Sequence, residues 1–139
     1  MQVEPRYDDV VVEVKAFLEE RMQFAIAAGI AAERIMLDPG IGFGKTLEHN
    51  LELLRRLDEL VELGRPVVIG TSRKAFLGRL TGRESPDDRI AGTLATNVLA
   101  YERGARVFRV HDVAPVRDAL TVAAATVSAP WTTRTSTTR

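Results

Sequence analysis

Arg34-Ile-Met-Leu-Asp38-Pro-Gly-Ile-Gly-Phe-Gly-Lys45-Thr46 joins a short apolar run to a glycine loop, with a stop at Pro39-Gly40 between them. The run predicts a buried strand over 34–38. Beyond the loop, Leu47, Leu51, Leu54, Leu57 and Val61 recur at helical spacing. They predict a helix over 47–63, with Thr46 as its N-cap and Gly64 as its end. The rest of the chain repeats this strand–loop–helix unit. Pro66-Val-Val-Ile-Gly70 reads as a second buried strand, and Arg106-Val-Phe-Arg-Val110 as a third. Ser85-Pro-Asp-Asp88 reads as a helix start, with a capping serine, proline at the first turn and acids beside the dipole. That helix turns Ile90, Leu94, Val98 and Tyr101 inward and ends near Gly104. Asp112 and Pro115 open a last helix carrying Val116, Ala119, Leu120 and Ala123 inward. Upstream, Val11, Val14, Leu18, Met22 and Ala25 mark a helix over 9–28 that ends at Gly29.

Strand ends near 38, 71 and 110 make this an α/β chain with a parallel sheet and right-handed crossovers. Two architectures satisfy the pattern: an open doubly wound sheet, or part of a (β/α)₈ barrel. Periodicity admits both.

The 139 residues amount to about one domain. Nineteen basic and 19 acidic residues cancel, and 45% of the chain is hydrophobic. The balance argues against nucleic acid or an anionic membrane as the main partner, since both need a basic face. The absence of cysteine excludes disulfides, thiolate metal sites and a cysteine nucleophile, and it suits a reducing cytosol. No run approaches 18 apolar residues, and Met1 to Asp9 lacks the basic start and apolar stretch of a signal peptide. A soluble cytoplasmic protein is expected. From Val127 to Arg139 the chain is mostly Ser, Thr, Pro and Arg, which predicts a disordered tail with a solitary Trp131.

In a parallel sheet all strand C-termini lie at one edge, where such folds place their sites. That edge collects Asp38, then Thr71-Ser72-Arg73-Lys74, then Arg109 and His111. The glycine loop is not a P-loop, because only three residues separate Gly40 from Gly44 where four are needed. Its glycines offer backbone that a planar ligand can approach closely; a tight turn alone explains one of them well and three less well. Asp38 has two readings. It caps the turn that follows, or it accepts two hydrogen bonds from a ligand's amidine-like edge. Arg73 and Lys74 could be a solvated basic pair, but their place directly after a buried strand favours a site. Arg109 and His111 are alternate residues, which puts both donors on one side, suited to phosphate or pyrophosphate.

Leu37-Asp-Pro-Gly-Ile-Gly-Phe-Gly-Lys45, Gly70-Thr-Ser-Arg-Lys74 and Arg109-Val-His-Asp-Val113, with Met1-Gln2, Pro5 and Tyr7-Asp-Asp-Val10, resemble in order and spacing the C-terminal half of the dihydropteroate synthases. The resemblance covers residues 1–126. It implies a pterin-binding (β/α)₈ barrel of which this chain holds the last three strands and their helices. It implies a transferase of folate biosynthesis, the sulfonamide target, which joins 4-aminobenzoate to 6-hydroxymethyl-7,8-dihydropterin pyrophosphate. By that resemblance Asp38 holds the pterin's amino and ring N–H groups. Lys74 bonds the ring, and Gly42, Phe43 and Gly70 line the slot. Arg109 and His111 hold the leaving pyrophosphate, while Ser72, Arg73 and the start of the next helix face 4-aminobenzoate. Lys74, Arg109 and His111 form the implied catalytic set. Mg²⁺ is the implied cofactor, its asparagine ligand belonging to earlier strands, and a homodimer through late helices is the implied assembly. Ala75 stands where many members carry Ser, which implies weaker anchoring of the 4-aminobenzoate carboxylate.

A full barrel needs about 250 residues, so a truncated synthase with little activity of its own is expected. Two other readings stand beside it. One is a methyltetrahydrofolate-dependent methyltransferase on the same barrel, which has no pyrophosphate for Arg109 and His111 to hold. The other is an inactive half-barrel that serves as a binding or interaction module.

Overall fold

Val67, Val68 and Ile69 form the middle of the sheet, with one neighbour on each side. The computed structural model describes residues 5–128; the tail beyond 128, with Trp131, and the Met1-Gln2 part of the resemblance lie outside the described residues. Strand β1 (Val68–Ile69) pairs in parallel with β2 (Val107–Phe108), Val68 opposite Val107. On its other side Val67 makes a single parallel bridge to Leu37. The Leu37 N–H donates to Pro66 O at 2.9 Å, and the Val68 N–H donates to Leu37 O at 2.8 Å. The strand expected over 34–38 is therefore one bridge long. A 3₁₀ turn over Ala32–Arg34 occupies its start, and only β1 is available to pair with it among the described residues.

The first helix follows the apolar pattern closely. Helix α1 (Val10–Ala27) buries Val10, Val11, Val14, Leu18 and Met22, and Asp9 caps it by accepting from the N–H groups of Val11 at 2.9 Å and Val12 at 3.0 Å. The helix expected over 47–63 is two: α2 (Leu47–Arg55) and α3 (Leu57–Val61). The break falls at Arg56, whose guanidinium reaches Asp9 at 2.9 Å, Glu59 at 2.6 Å and Glu52 at 3.5 Å. Leu53, Leu57, Leu60 and Ile69 are fully buried, so α2, α3 and the sheet share one core with α1. Leu57→Ala is expected to cost about 2–5 kcal/mol, the usual range for a large-to-small change in a closed core. Urea titration would show it, and Val122→Ala at an exposed position should change stability by less than about 0.5 kcal/mol.

Helix α4 (Ala75–Thr81) follows Lys74 directly and ends at Gly82 with φ +70°. Ser85 does cap, accepting from the Asp87 N–H, but the next turn is 3₁₀ over Pro86–Arg89 and α5 runs Ile90–Glu102. The face of α5 that is buried is Thr93, Asn97 and Ala100; Ile90, Leu94, Val98 and Tyr101 are only half-buried. The helix is rotated because its hydroxyls bond the end of the sheet: Thr96 Oγ1 lies 2.8 Å from Thr71 Oγ1, and Thr93 Oγ1 accepts from the Arg73 N–H at 3.0 Å. Helix α6 (Val113–Ser128) buries Val116 and Ala123 and runs two residues past 126. Among the described residues no helix is long and apolar enough to cross a membrane.

Candidate active site

Three loops leave the C-terminal edge of the sheet: 38–46 after Leu37, 70–74 after β1, and 109–112 after β2. The first is built on glycine. Gly40, Gly42 and Gly44 all have positive φ, at +67°, +82° and +57°, so the backbone path alone accounts for all three. Asp38 caps the turn: one carboxylate oxygen accepts from the Gly40 N–H at 2.8 Å, and the side chain stays exposed. Asn50, 2% exposed, pins the loop from below. Its Oδ1 accepts from the Gly42 N–H and its Nδ2 donates to Thr46 O, both at 2.6 Å. Lys45 Nζ donates to Gly40 O at 3.2 Å and Phe43 O at 3.1 Å. Burial pushes the Lys45 amine down, and the Asp38 charge opposes that shift. From the resembling N-terminal segment, the Tyr7 hydroxyl donates to Gly44 O at 3.4 Å, and its ring meets the His49 ring edge-on at 5.0 Å. A cavity of about 440 Å³ opens beside Asp38, lined by Tyr7, Phe17, Pro39, Gly40 and Lys45 among others.

Lys74 bridges the first loop to the second. Its Nζ lies 3.6 Å from the centroid of the exposed Phe43 ring. Burial pushes its amine down, Arg109 pushes it the same way, and Asp38 pulls it up. Asp38, Phe43, Lys74 and Arg109 thus form one electrostatic neighbourhood. Gly42 belongs to it sterically, since a Cβ there would meet Lys74 Cδ at 2.8 Å. Gly70 borders open space. Gly42→Ala combines that overlap with a left-handed backbone. It should destabilise the fold by about 1–2 kcal/mol, readable by urea titration.

The second and third loops are tied by two side-chain links. The buried Ser72 hydroxyl lies 2.9 Å from His111 Nδ1 and accepts from the His111 N–H at 3.1 Å. Arg73, at φ +59°, donates from Nε and Nη2 to the Asp112 carboxylate at 3.0 and 2.7 Å, and its Nη1 also reaches Asp87. The guanidinium holds the Asp112 carboxyl below the ordinary carboxylate range. Arg89 closes the loop by donating to Arg73 O at 2.9 Å. Arg109 is fixed by its N–H bond to Ile69 O at 2.9 Å, while its side chain and that of His111 are exposed.

The edge therefore presents one carboxylate, one ammonium against an aromatic face, one guanidinium and one imidazole, over a glycine backbone. That set suits a flat heterocycle bearing N–H donors together with a polyanion. Sequence reasoning did not single out Asn50, Lys45, Thr93 or Asp112 as site-building residues. Asn50 carries a signal, being polar at an inward position of the α2 repeat; Lys45 belongs to the glycine-loop motif but has no role assigned by it. Among the described residues no group of three or more His, Asp or Glu is placed to hold a metal ion.

The family model for pterin binding enzymes matches residues 1–111. The chain belongs to the pterin-binding enzyme family. Among solved members, the dihydropteroate synthase of Xanthomonas albilineans in complex with 7,8-dihydropteroate is 52% identical and superposes with a TM-score of 0.89, over 94% of this chain and 50% of that one. The Thermus thermophilus dihydropteroate synthase in complex with 6HMPPP is 53% identical, with a TM-score of 0.84 over 90% of this chain and 50% of that one. The dihydropteroate synthase of Neisseria meningitidis serogroup C is 51% identical over 121 residues, 86% of this chain and 43% of the relative. These likenesses decide between the two architectures: the three parallel strands of this pterin-binding family member are part of a (β/α)₈ barrel. The chain spans about half the length of the relatives it matches.

Proposed function

We propose that this chain supplies the pterin- and pyrophosphate-binding edge of a dihydropteroate synthase. The observation that carries the reading is the single neighbourhood of Asp38, Lys74 on Phe43, and Arg109. Asp38 accepts from the N–H edge of the dihydropterin while keeping the Gly40 turn, and Lys74 and Phe43 hold the ring. Arg109 and His111 bind the pyrophosphate. As the bond from the pterin methylene to the pyrophosphate oxygen breaks, the electron pair leaves with that oxygen. Preorganised cations stabilise the growing negative charge, which is the main demand on the protein. The methylene cation is stabilised by the electron-rich ring, and the 4-aminobenzoate amine adds to it and then loses a proton. A neutral aniline needs no strong general base.

Ser72 and Arg73 have their side chains committed to His111 and to Asp112 and Asp87, so they serve 4-aminobenzoate through the loop they hold rather than by direct reach. The wider reading is a cytoplasmic homodimer that uses Mg²⁺ held by residues other than those described, and no step is assigned to that ion. The test is condensation of radiolabelled 4-aminobenzoate with the dihydropterin pyrophosphate, alongside calorimetric binding of the pterin substrate. The expected result is pterin binding by the 139-residue chain with low turnover, and full turnover once the rest of the barrel is joined to it. Absence of pterin binding in the joined protein would refute the assignment.

A further inference from the structure

The Ser72 hydroxyl makes two contacts with one residue. It accepts from the His111 backbone N–H at 3.1 Å and meets His111 Nδ1 at 2.9 Å. Ser72 is 4% exposed, and among the described residues its hydroxyl has only these two partners. A hydroxyl carries one proton and two acceptor sites. If Nδ1 held a proton, the oxygen would accept twice and its own proton would be buried without an acceptor, which is costly. If Nδ1 is bare, the hydroxyl donates to it, the backbone N–H fills one lone pair, and every group is satisfied. We infer that Ser72 is a positioning residue that fixes neutral His111 as the Nε2–H tautomer, so that the exposed edge of the ring is a hydrogen-bond donor. A donor there matches an anionic ligand beside Arg109; the opposite tautomer would turn a lone pair toward the same anion. The neighbouring Arg73–Asp112 link, at 2.7 Å, holds the two loops in the register this bond needs. The consequence for pyrophosphate rests on the reading given under Proposed function; the tautomer itself does not.

The test is two-bond ¹H–¹⁵N correlation spectroscopy of the 139-residue chain at pH 8.5, with His111→Gln identifying the ring against His49. The expected wild-type ring is a single neutral form protonated at Nε2. Ser72→Ala should give a ring averaged between tautomers and weaken inorganic pyrophosphate binding about tenfold, the scale of one charge-assisted hydrogen bond. Ser72→Thr, which keeps the hydroxyl, should restore both. A wild-type ring protonated at Nδ1, or a Ser72→Ala ring still locked as Nε2–H, overturns the inference. If the wild type has the Nε2–H ring but binds no pyrophosphate, the tautomer assignment stands and the anion role of His111 falls.

Discussion

Asp38→Asn is expected to weaken dihydropterin binding by about 10²- to 10⁴-fold, from two charge-assisted hydrogen bonds of about 1.5–3 kcal/mol each. The variant is informative because it separates the two jobs of the side chain. The amide keeps an oxygen for the Gly40 N–H, so the turn that Asp38 holds at 2.8 Å survives. Its other atom becomes an NH₂ group, and a donor then faces the donors of the pterin edge. Asp38→Ala would lose both functions and mix a loop defect into the result. Circular dichroism should show Asp38→Asn folded, and calorimetry should show the affinity lost. Binding within threefold of the wild type would mean that Asp38 only caps its turn.

Arg109→Ala is expected to lower kcat/KM of the completed barrel by about 10²- to 10³-fold, the cost of removing one preorganised donor from a developing anion. The strand bond to Ile69 O at 2.9 Å is made by the Arg109 backbone, so the sheet should be unaffected. The diagnostic is selective: affinity for inorganic pyrophosphate should collapse, while a dihydropterin lacking pyrophosphate binds as before. Arg109 also depresses the Lys74 amine, so the substitution should raise the Lys74 titration. Equal loss for both ligands would place Arg109 in the pterin slot instead.

Much of this arrangement is written locally in the chain. The apolar stripes of α1 and of the 47–61 region, and the apolar runs before Asp38, Gly70 and Arg109, place the strand ends and so the edge on which Asp38, Lys74 and Arg109 converge. The departures come from distant partners. Arg56 breaks its helix while bonded to Asp9, 47 positions away. Helix α5 turns Thr93 and Thr96 toward the sheet because Arg73 and Thr71 offer hydrogen-bond partners there, a preference that an apolar count over Ile90 and Leu94 does not register. Asn50 matters only once the glycine loop lies over it. The pairing of Ser72 with His111 and of Arg73 with Asp112 spans 39 positions each and follows from the parallel register of β1 and β2.

The contact of Lys74 with Phe43 and Gly42 has a thermodynamic consequence for the binding step. A free lysine side chain carries about 2 kcal/mol of rotamer entropy. Here the ammonium rests 3.6 Å from the Phe43 centroid, and the aliphatic stem passes so close to Gly42 that no Cβ fits between them. Part of its freedom is therefore lost when the loop folds, before a ligand arrives. Affinity at this edge draws on folding free energy, and freeing the side chain, as Phe43→Ala would, transfers that entropy loss to the moment of association.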